Sequence, residues 1–455
     1  MKIQKNSLLA VALIVLLFSA GYFNLFNIIF GLDSPKAVAL SIFLIAAFLW
    51  VTEWLPLYLT SFLILFLQIS WLLPVINPLA GKTDRMPYMQ AFFCDITLLF
   101  MGGFVLASVL HKYRLDNRIA FLLLRQTGKS PTKILLGMMI ISALLSMWMS
   151  NTATTAMMFA IILPIVKEIP ESNTFSKGLA LSIPFACNLG GLATPIGTPP
   201  NAIAMNYLVE KGIAISFGEW MLATVPFMLV FLLLSWVLLL KMYPPGDLEI
   251  NLQAEDSGRM TAVHWLIITL FLCTIVGWFS TNIHGLSIGT VSLIPVIVAF
   301  GLGLLKLPDF KLLPWDVLFM VGGGICLGVG LKSSGLTQHV VGLIPVQLNF
   351  CWVLIIFGCL GALMTTFMSN TATANLLIPI AISMDNNVSL LVITLAMVCS
   401  TAMALPVSTP PNAIAFGSGM LRAKDMIWPG AIISVVSLII ILAIGFLYWP
   451  LLGIY

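Results

Sequence analysis

A six-residue phrase occurs twice in this chain. Met149-Ser150-Asn151-Thr152-Ala153-Thr154 returns letter for letter as Met368-Ser369-Asn370-Thr371-Ala372-Thr373. Each copy is followed downstream by a second repeated phrase, first Thr198-Pro199-Pro200-Asn201-Ala202-Ile203-Ala204 and then Thr409-Pro410-Pro411-Asn412-Ala413-Ile414-Ala415. The same polar words in the same order mark an internal duplication, so one local architecture has to serve both halves. Each half must place a Ser-Asn-Thr cluster and a Pro-Pro break inside an otherwise apolar run.

That setting is set by composition. Of 455 residues 60% are hydrophobic and 8% charged, against about 25% charged in a soluble domain. The class is an all-α polytopic membrane protein. A net charge of +4 is no footprint for nucleic acid. Seven cysteines stand singly in apolar runs, without metal-ligand spacing or a disulfide framework; they read as small core residues. The apolar run Ser7 to Ile29 is too long for a signal-peptide core and reads as a retained first helix.

About 20 apolar residues span a bilayer as a helix. That ruler places helices near 7–29, 37–55, 57–75 and 92–112, followed by a basic amphipathic stretch, 113–130. Two half-lengths, 132–149 and 152–168, hinge at the first Ser-Asn-Thr; a broken span, 176–209, and a plain helix, 220–242, close the half. After a linker at 243–259 come helices near 262–280, 285–306 and 315–334, a second hinged pair at 350–368 and 371–384, a broken span at 389–416 and a last helix at 428–452. Leu99-Phe100-Met101-Gly102-Gly103 answers Leu318-Phe319-Met320-Val321-Gly322-Gly323. The hinged pairs read as re-entrant hairpins, because non-helical backbone at depth is tolerated only where it lines a cavity. Five spans then separate the two tips, which inverts the second copy. With the N-terminus cytoplasmic, 16 Lys and Arg fall on the inner side and five on the outer, Lys36, Lys82, Arg85, Lys211 and Lys332. This positive-inside bias puts the C-terminus outside.

Ser, Asn and Thr are preferred helix N-caps. At a tip they end one half-helix and start another, offering N–H groups to an anion and carbonyls to a hard cation. Ser146 and Ser150 are four apart, as are Thr365 and Ser369, which predicts hydroxyls on one helical face. Proline removes an N–H and frees further backbone at the breaks. No Lys, Arg, Asp or Glu falls mid-span near either motif. A bound anion must therefore be neutralised by something that arrives with it, and co-bound Na⁺ does this. Asp95 and Asp316 read as helix N-caps; the four His read as interfacial. An intramembrane enzyme would need acids, His or Cys converging at depth, and none do. A transporter, not an enzyme, is expected; an anion channel is the reading from another mechanistic class.

These phrases resemble the divalent-anion:sodium symporter family of di- and tricarboxylate and sulfate carriers. The likeness covers nearly the whole chain, and its signature runs from Cys399-Ser400 through Pro406-Val407-Ser408 to Asn412-Ala413-Ile414, departing at Met403 and Ala415. It implies about eleven transmembrane helices and two re-entrant hairpins in inverted repeats, a homodimer, and an elevator motion. It implies that Ser146, Ser150, Asn151 and Gly197 hold one sodium, and Thr365, Ser369, Asn370 and the Ser408 carbonyl a second. Asn151, Thr152, Thr198, Pro199, Asn370, Thr371, Thr409 and Pro410 would meet the substrate carboxylates. On this reading 1–131 is N-terminal scaffold and arm, 132–209 the first transport segment, 210–346 scaffold and second arm, 347–419 the second transport segment, and 420–455 a C-terminal helix. The expected function is sodium-coupled import of a C4-type dicarboxylate across a bacterial inner membrane. A dicarboxylate exchanger and a citrate or sulfate carrier are its rivals within the family.

Overall fold

A computed structural model describes residues 5–23, 25–167, 169–170, 173–213, 215–248, 250, 259–343, 349–384 and 387–454. Lys2 and residues 251–258 of the expected linker lie outside these. Among the described residues the ordered elements are all helices. The first half comprises α1 (Lys5–Tyr22), α2 (Ser34–Thr52), α3 (Leu57–Ile76), α4 (Asp95–Lys112), α5 (Leu115–Leu124), α6 (Pro131–Ser146), α7 (Asn151–Lys167), α8 (Phe175–Gly190), α9 (Pro199–Glu210) and α10 (Phe217–Met242). The second comprises α11 (Ala262–Phe279), α12 (Ile288–Gly301), α13 (Trp315–Ser333), α14 (Leu336–Gly342), α15 (Phe350–Phe367), α16 (Asn370–Ala381), α17 (Val388–Thr401), α18 (Pro410–Gly417) and α19 (Ala423–Leu451).

Among the described residues eight helical stretches are long and apolar enough to cross a bilayer, α15 among them. Seven of them, with α1, α12 and the broken pairs α8/α9 and α17/α18, correspond to the eleven expected spans. Trp265, Leu272 and Val276 on α11, and Val435 and Ile439 on α19, stand exposed. A continuous apolar exterior of this kind belongs in lipid.

The duplication is visible in the packing. Helix α4 packs along α12, and its counterpart α13 packs along α3. In the first crossing a Cβ on Gly102 would lie 2.4 Å from the Ser292 carbonyl; in the second, one on Gly323 would collide with Ser61. Glycine is required at both because the helices approach backbone to backbone at Gly102 and backbone to side chain at Gly323. The same reciprocity joins the hinged pairs to the opposite breaks. Helix α7 packs on α18 as α16 packs on α9, and α8 on α18 as α17 on α9. Helices α10 and α19 also pack on each other and against α8 and α17 respectively.

Polar contacts at the helix ends fall into two groups. One joins Lys112 to Asp309 at 2.7 Å, Arg118 to the Arg259 carbonyl at 3.4 Å, and Lys177 to Asp425 at 3.1 Å. It also includes both feet of the α6/α7 pair, since Ile250 N donates to the Lys129 carbonyl and Asn173 to the Pro245 carbonyl. The other joins Tyr88 to Ser333 and Leu222 to Tyr448, and gathers Lys211, Lys332 and Ser383 around one cavity of about 180 Å³. Every Lys and Arg in the first group comes from loops expected inside, and both lysines of the second from loops expected outside.

Several boundaries differ from the sequence reading. Helix α12 is only 14 residues long, because Ser287 caps its start and the chain turns at Gly303. A separate helix, Lys82–Gln90, precedes α4. Asp95 is the first residue of α4 rather than its cap; its carboxylate accepts a 2.7 Å bond from Ser287 instead. Helix α3 carries an unanticipated π-helical turn, Gln68–Leu72, which seats the buried Gln68 amide against the Leu327 carbonyl of α13.

Candidate functional site

Helix α6 ends at Ser146, the chain unwinds through Met147–Ser150, and α7 begins at Asn151. The expectation that Ser146 and Ser150 share a helical face therefore fails. Ser150 lies beyond the helix, where its hydroxyl caps α7 by accepting from Ala153 N at 3.2 Å. In the second half α15 ends at Phe367, and Ser369 caps α16 through Ala372 N at 3.1 Å. A serine that starts a new helix cannot also continue the old one, and capping wins because it satisfies an orphan N–H.

Behind each tip the same three groups meet. Ser146 Oγ is 2.9 Å from the Cys187 carbonyl and 2.5 Å from the Asn151 amide. Thr365 Oγ1 is 2.9 Å from the Cys399 carbonyl and 2.8 Å from Asn370 Oδ1. A hydroxyl has one proton, so in each trio one contact sets oxygen against oxygen when the amide oxygen faces in. At the first tip the inward amide atom also lies 3.2 Å from the Gly197 carbonyl and 3.3 Å from that of Cys187. With nitrogen inward the amide's two protons are shared among these three acceptors; with oxygen inward, four oxygens converge as a hard cation requires. Glycine permits the convergence, since a Cβ on Gly191 would be 2.9 Å from the Asn151 amide and one on Gly197 2.4 Å from the Gly191 carbonyl. At the second break Ser408 replaces Gly197; its hydroxyl donates to the Thr366 carbonyl at 2.9 Å and accepts from Leu405 N at 3.2 Å.

The breaks are held open by buried asparagines. Asn201 Nδ2 donates to the carbonyls of Gly191, Leu192 and Thr194 at 2.9, 3.3 and 2.8 Å. Asn412 Nδ2 donates to those of Met403 and Leu405, both at 2.9 Å. These are backbone groups that the broken helix leaves without intrahelical partners. Thr194 ties the first break to the first tip by donating to the Met147 carbonyl at 2.5 Å.

The expected residues are thus partly brought together. Ser146 with Asn151 and Gly197, and Thr365 with Asn370, form two clusters; Ser150 and Ser369 act on their surroundings as caps. Thr198, Thr371 and Thr409 are buried, Thr152 and Pro410 exposed, and Pro199 half-buried. Sequence reasoning did not find the carbonyls of Cys187 and Cys399, the carbonyl-binding roles of Asn201 and Asn412, or Asn188. Asn201 and Asn412 belong to the repeated phrase itself, so the signal was present for those two. Among the described residues no three His, Cys, Asp or Glu gather as metal ligands. The clusters offer neutral oxygens and no fixed charge.

Comparison with known proteins gives the family. A family profile described as "Sodium:sulfate symporter transmembrane region" matches residues 6–455. The chain belongs to this family, the divalent-anion:sodium symporters. It is an integral membrane transporter. The sodium-dependent dicarboxylate transporter SdcS of Staphylococcus aureus strain USA300 is 32% identical over 450 residues, covering 88% of this chain and 84% of that protein. An uncharacterised transporter of Schizosaccharomyces pombe is 31% identical over 430 residues, covering 89% of this chain and 49% of the yeast protein. This symporter-family chain therefore spans about half of the yeast relative's length and most of the staphylococcal one's.

Proposed function

We propose that this chain imports C4-type dicarboxylates such as succinate, malate or fumarate together with Na⁺. The observation that carries the reading is the duplicated trio of hydroxyl, carbonyl and amide, Ser146–Cys187–Asn151 and Thr365–Cys399–Asn370. Each is a set of uncharged oxygens, suited to a hard monovalent cation and unable to neutralise a dianion alone. Cation and anion then bind as one neutralised unit, with the anion held by Asn151, Thr152, Asn370, Thr371 and the Thr-Pro pairs 198–199 and 409–410. The name of the staphylococcal relative favours a dicarboxylate.

The proposed mechanism is an elevator in a homodimer. The α6/α7 and α15/α16 pairs act as re-entrant hairpins entering from opposite faces, and move with the broken helices α8/α9 and α17/α18. Packing of α10 and α19 on those broken helices favours their moving as well, which takes 217–242 out of the scaffold segment. Helices α3, α4, α12 and α13 form the stationary frame, and α5 is a connecting arm. The N-terminus is cytoplasmic and the C-terminus outside, in a bacterial inner membrane. Radiolabelled succinate uptake into proteoliposomes tests the reading. Uptake that needs Na⁺ and fails with K⁺ is expected; equal uptake in both, or counterflow alone, would replace symport by exchange.

A further inference from the structure

Asn188 is 1% exposed and follows Cys187, whose carbonyl belongs to the first cluster. Its side chain reaches the opposite repeat. Nδ2 lies 3.1 Å from Thr409 Oγ1 and 3.3 Å from Asn412 Oδ1. The far side of Asn412 settles the direction of these bonds. Because Asn412 Nδ2 is committed to two carbonyls, its oxygen is what faces Asn188, and Asn188 must present its NH₂. Thr409 Oγ1 accepts a second bond from Asn412 N at 3.3 Å. A hydroxyl has two acceptor positions and one proton. With both acceptor positions taken, Thr409 can only donate, away from both partners.

The other break is not built this way. The residue after Cys399 is Ser400, whose hydroxyl turns back to the Ala396 carbonyl at 3.2 Å. Thr198 makes no capping bond. Asn201 Oδ1, the counterpart of the oxygen that receives Asn188, is buried without a partner. Identical phrases thus have unequal chemistry. Asn188 Oδ1 is itself buried and unpaired, a desolvation cost accepted for what the nitrogen does.

We propose that Asn188 is a positioning residue for anion recognition, fixing the Thr409 hydroxyl as a donor for one ionised carboxylate while Thr198 stays free to rotate and meet the other end. The inference rests on the dicarboxylate reading above. A ligand group at Thr409 must accept only; an amide or protonated acid that brings its own donor finds no acceptor there.

The test is a double-mutant cycle on the full chain in proteoliposomes at saturating Na⁺. N188S is expected to raise the succinate KM about tenfold, the loss of one aligned bond to a charged acceptor, with maximal rate within a few-fold. T409V loses at least as much, and the N188S/T409V double variant is no worse than T409V, because both act on one bond. In thermal unfolding, Na⁺ alone stabilises N188S as it does the parent chain, while half-maximal stabilisation by succinate needs about tenfold more. The isosteric N188D keeps the shape and removes the donor, so it must lose affinity too. An unchanged KM in N188S or N188D, or penalties that multiply in the double variant, overturns the proposal while the transport reading stands. A parent chain with neither Na⁺-dependent uptake nor Na⁺-dependent stabilisation defeats the transport reading, and the proposal with it.

Discussion

Ser146 Oγ donates to the Cys187 carbonyl across 41 residues of chain, at 2.9 Å. Thr365 makes the same bond to Cys399 at the same distance. In both, the helix before the Ser-Asn-Thr phrase is fastened to the last turn of the helix that leads into a Thr-Pro-Pro break. On the proposed reading the hydroxyl is both fastener and ligand. S146A and T365V are each expected to lower apparent Na⁺ affinity about tenfold or more, as one oxygen of the proposed ligand set is lost and a buried carbonyl loses its side-chain donor. If each cluster holds a separate ion, either change also lowers the Hill coefficient for Na⁺ from above one towards one. Sodium titrations of succinate uptake measure both. Unaltered steepness in both variants would falsify the two-ion arrangement.

On the proposed reading the paired asparagines meet both cation and anion. N151A and N370A are expected to abolish uptake while the chain remains folded, because each removes an amide shared by cation and anion. Gel filtration and thermal unfolding of the purified variants check the fold; uptake at high Na⁺ checks the site. Normal uptake by both would remove Asn151 and Asn370 from it.

Much of this was legible in advance, and the limits follow from residue chemistry. The duplicated Ser-Asn-Thr and Thr-Pro-Pro phrases located both tips and both breaks, since a cap residue or a Pro-Pro pair starts a new helix, whereas single prolines such as Pro184 and Pro226 sit inside continuous ones. Backbone ligands were not legible: the Cys187 and Cys399 carbonyls carry no side-chain signal, and a cysteine reads as a small core residue. The Ser146/Ser150 spacing misled because helical periodicity was extended through a residue that caps the next helix. Asn188 was hidden for another reason. Its partners, Thr409 and Asn412, lie more than two hundred residues away, and its counterpart by position is Ser400, so the repeat itself gave no reason to single it out.

Gly197 and Ser408 occupy corresponding places with different tolerances. A Cβ at 197 would lie 2.4 Å from the Gly191 carbonyl, with Gly191 Cα at 2.9 Å. These are backbone atoms and cannot swing aside. G197A is therefore expected to push the first break apart, lowering thermal stability and eliminating uptake together. S408A keeps its backbone carbonyl in place and loses only the hydroxyl bonds to Thr366 and Leu405, worth about 1–3 kcal/mol in all. It should lower the unfolding temperature by several degrees and retain measurable uptake. Equal damage from the two would show that the carbonyl at this position is not what matters.

Buried carbonyls around the breaks make a stability prediction independent of transport. N201A strands the Gly191 carbonyl and takes one of two donors from those of Leu192 and Thr194, which keep Trp220 Nε1 and Gly197 N; N412A strands the Met403 carbonyl, while that of Leu405 keeps Ser408 N. Each unsatisfied buried group costs about 1–3 kcal/mol. Both variants should unfold at lower temperature than S146A, with N201A the worse of the two. The order is read from thermal unfolding in detergent without substrate.

The chemistry of the clusters also constrains the effect of pH. Neither trio contains a group that titrates near neutrality, so uptake between about pH 5.5 and 8 has no protein carboxylate or imidazole in the site to follow. It should track the ionisation of the added substrate. Carboxylates that do respond lie at the helix ends. The Lys112 ammonium, donating at 2.7 Å, holds the Asp309 carboxyl below the usual carboxylate range, and Lys36 does the same for Asp33. A depressed folded value means that the stabilisation is present above the unfolded value and is lost as pH falls through the folded one. Acid therefore loosens these end contacts only below the window in which uptake is measured, and only slightly, because both pairs are exposed to solvent. Uptake of a dicarboxylate and of sulfate, whose charge is constant over this range, separates the two sources. Dicarboxylate uptake is expected to fall with its dianion fraction while sulfate uptake or binding stays flat; parallel loss of both would place a titrating group of the protein in the site.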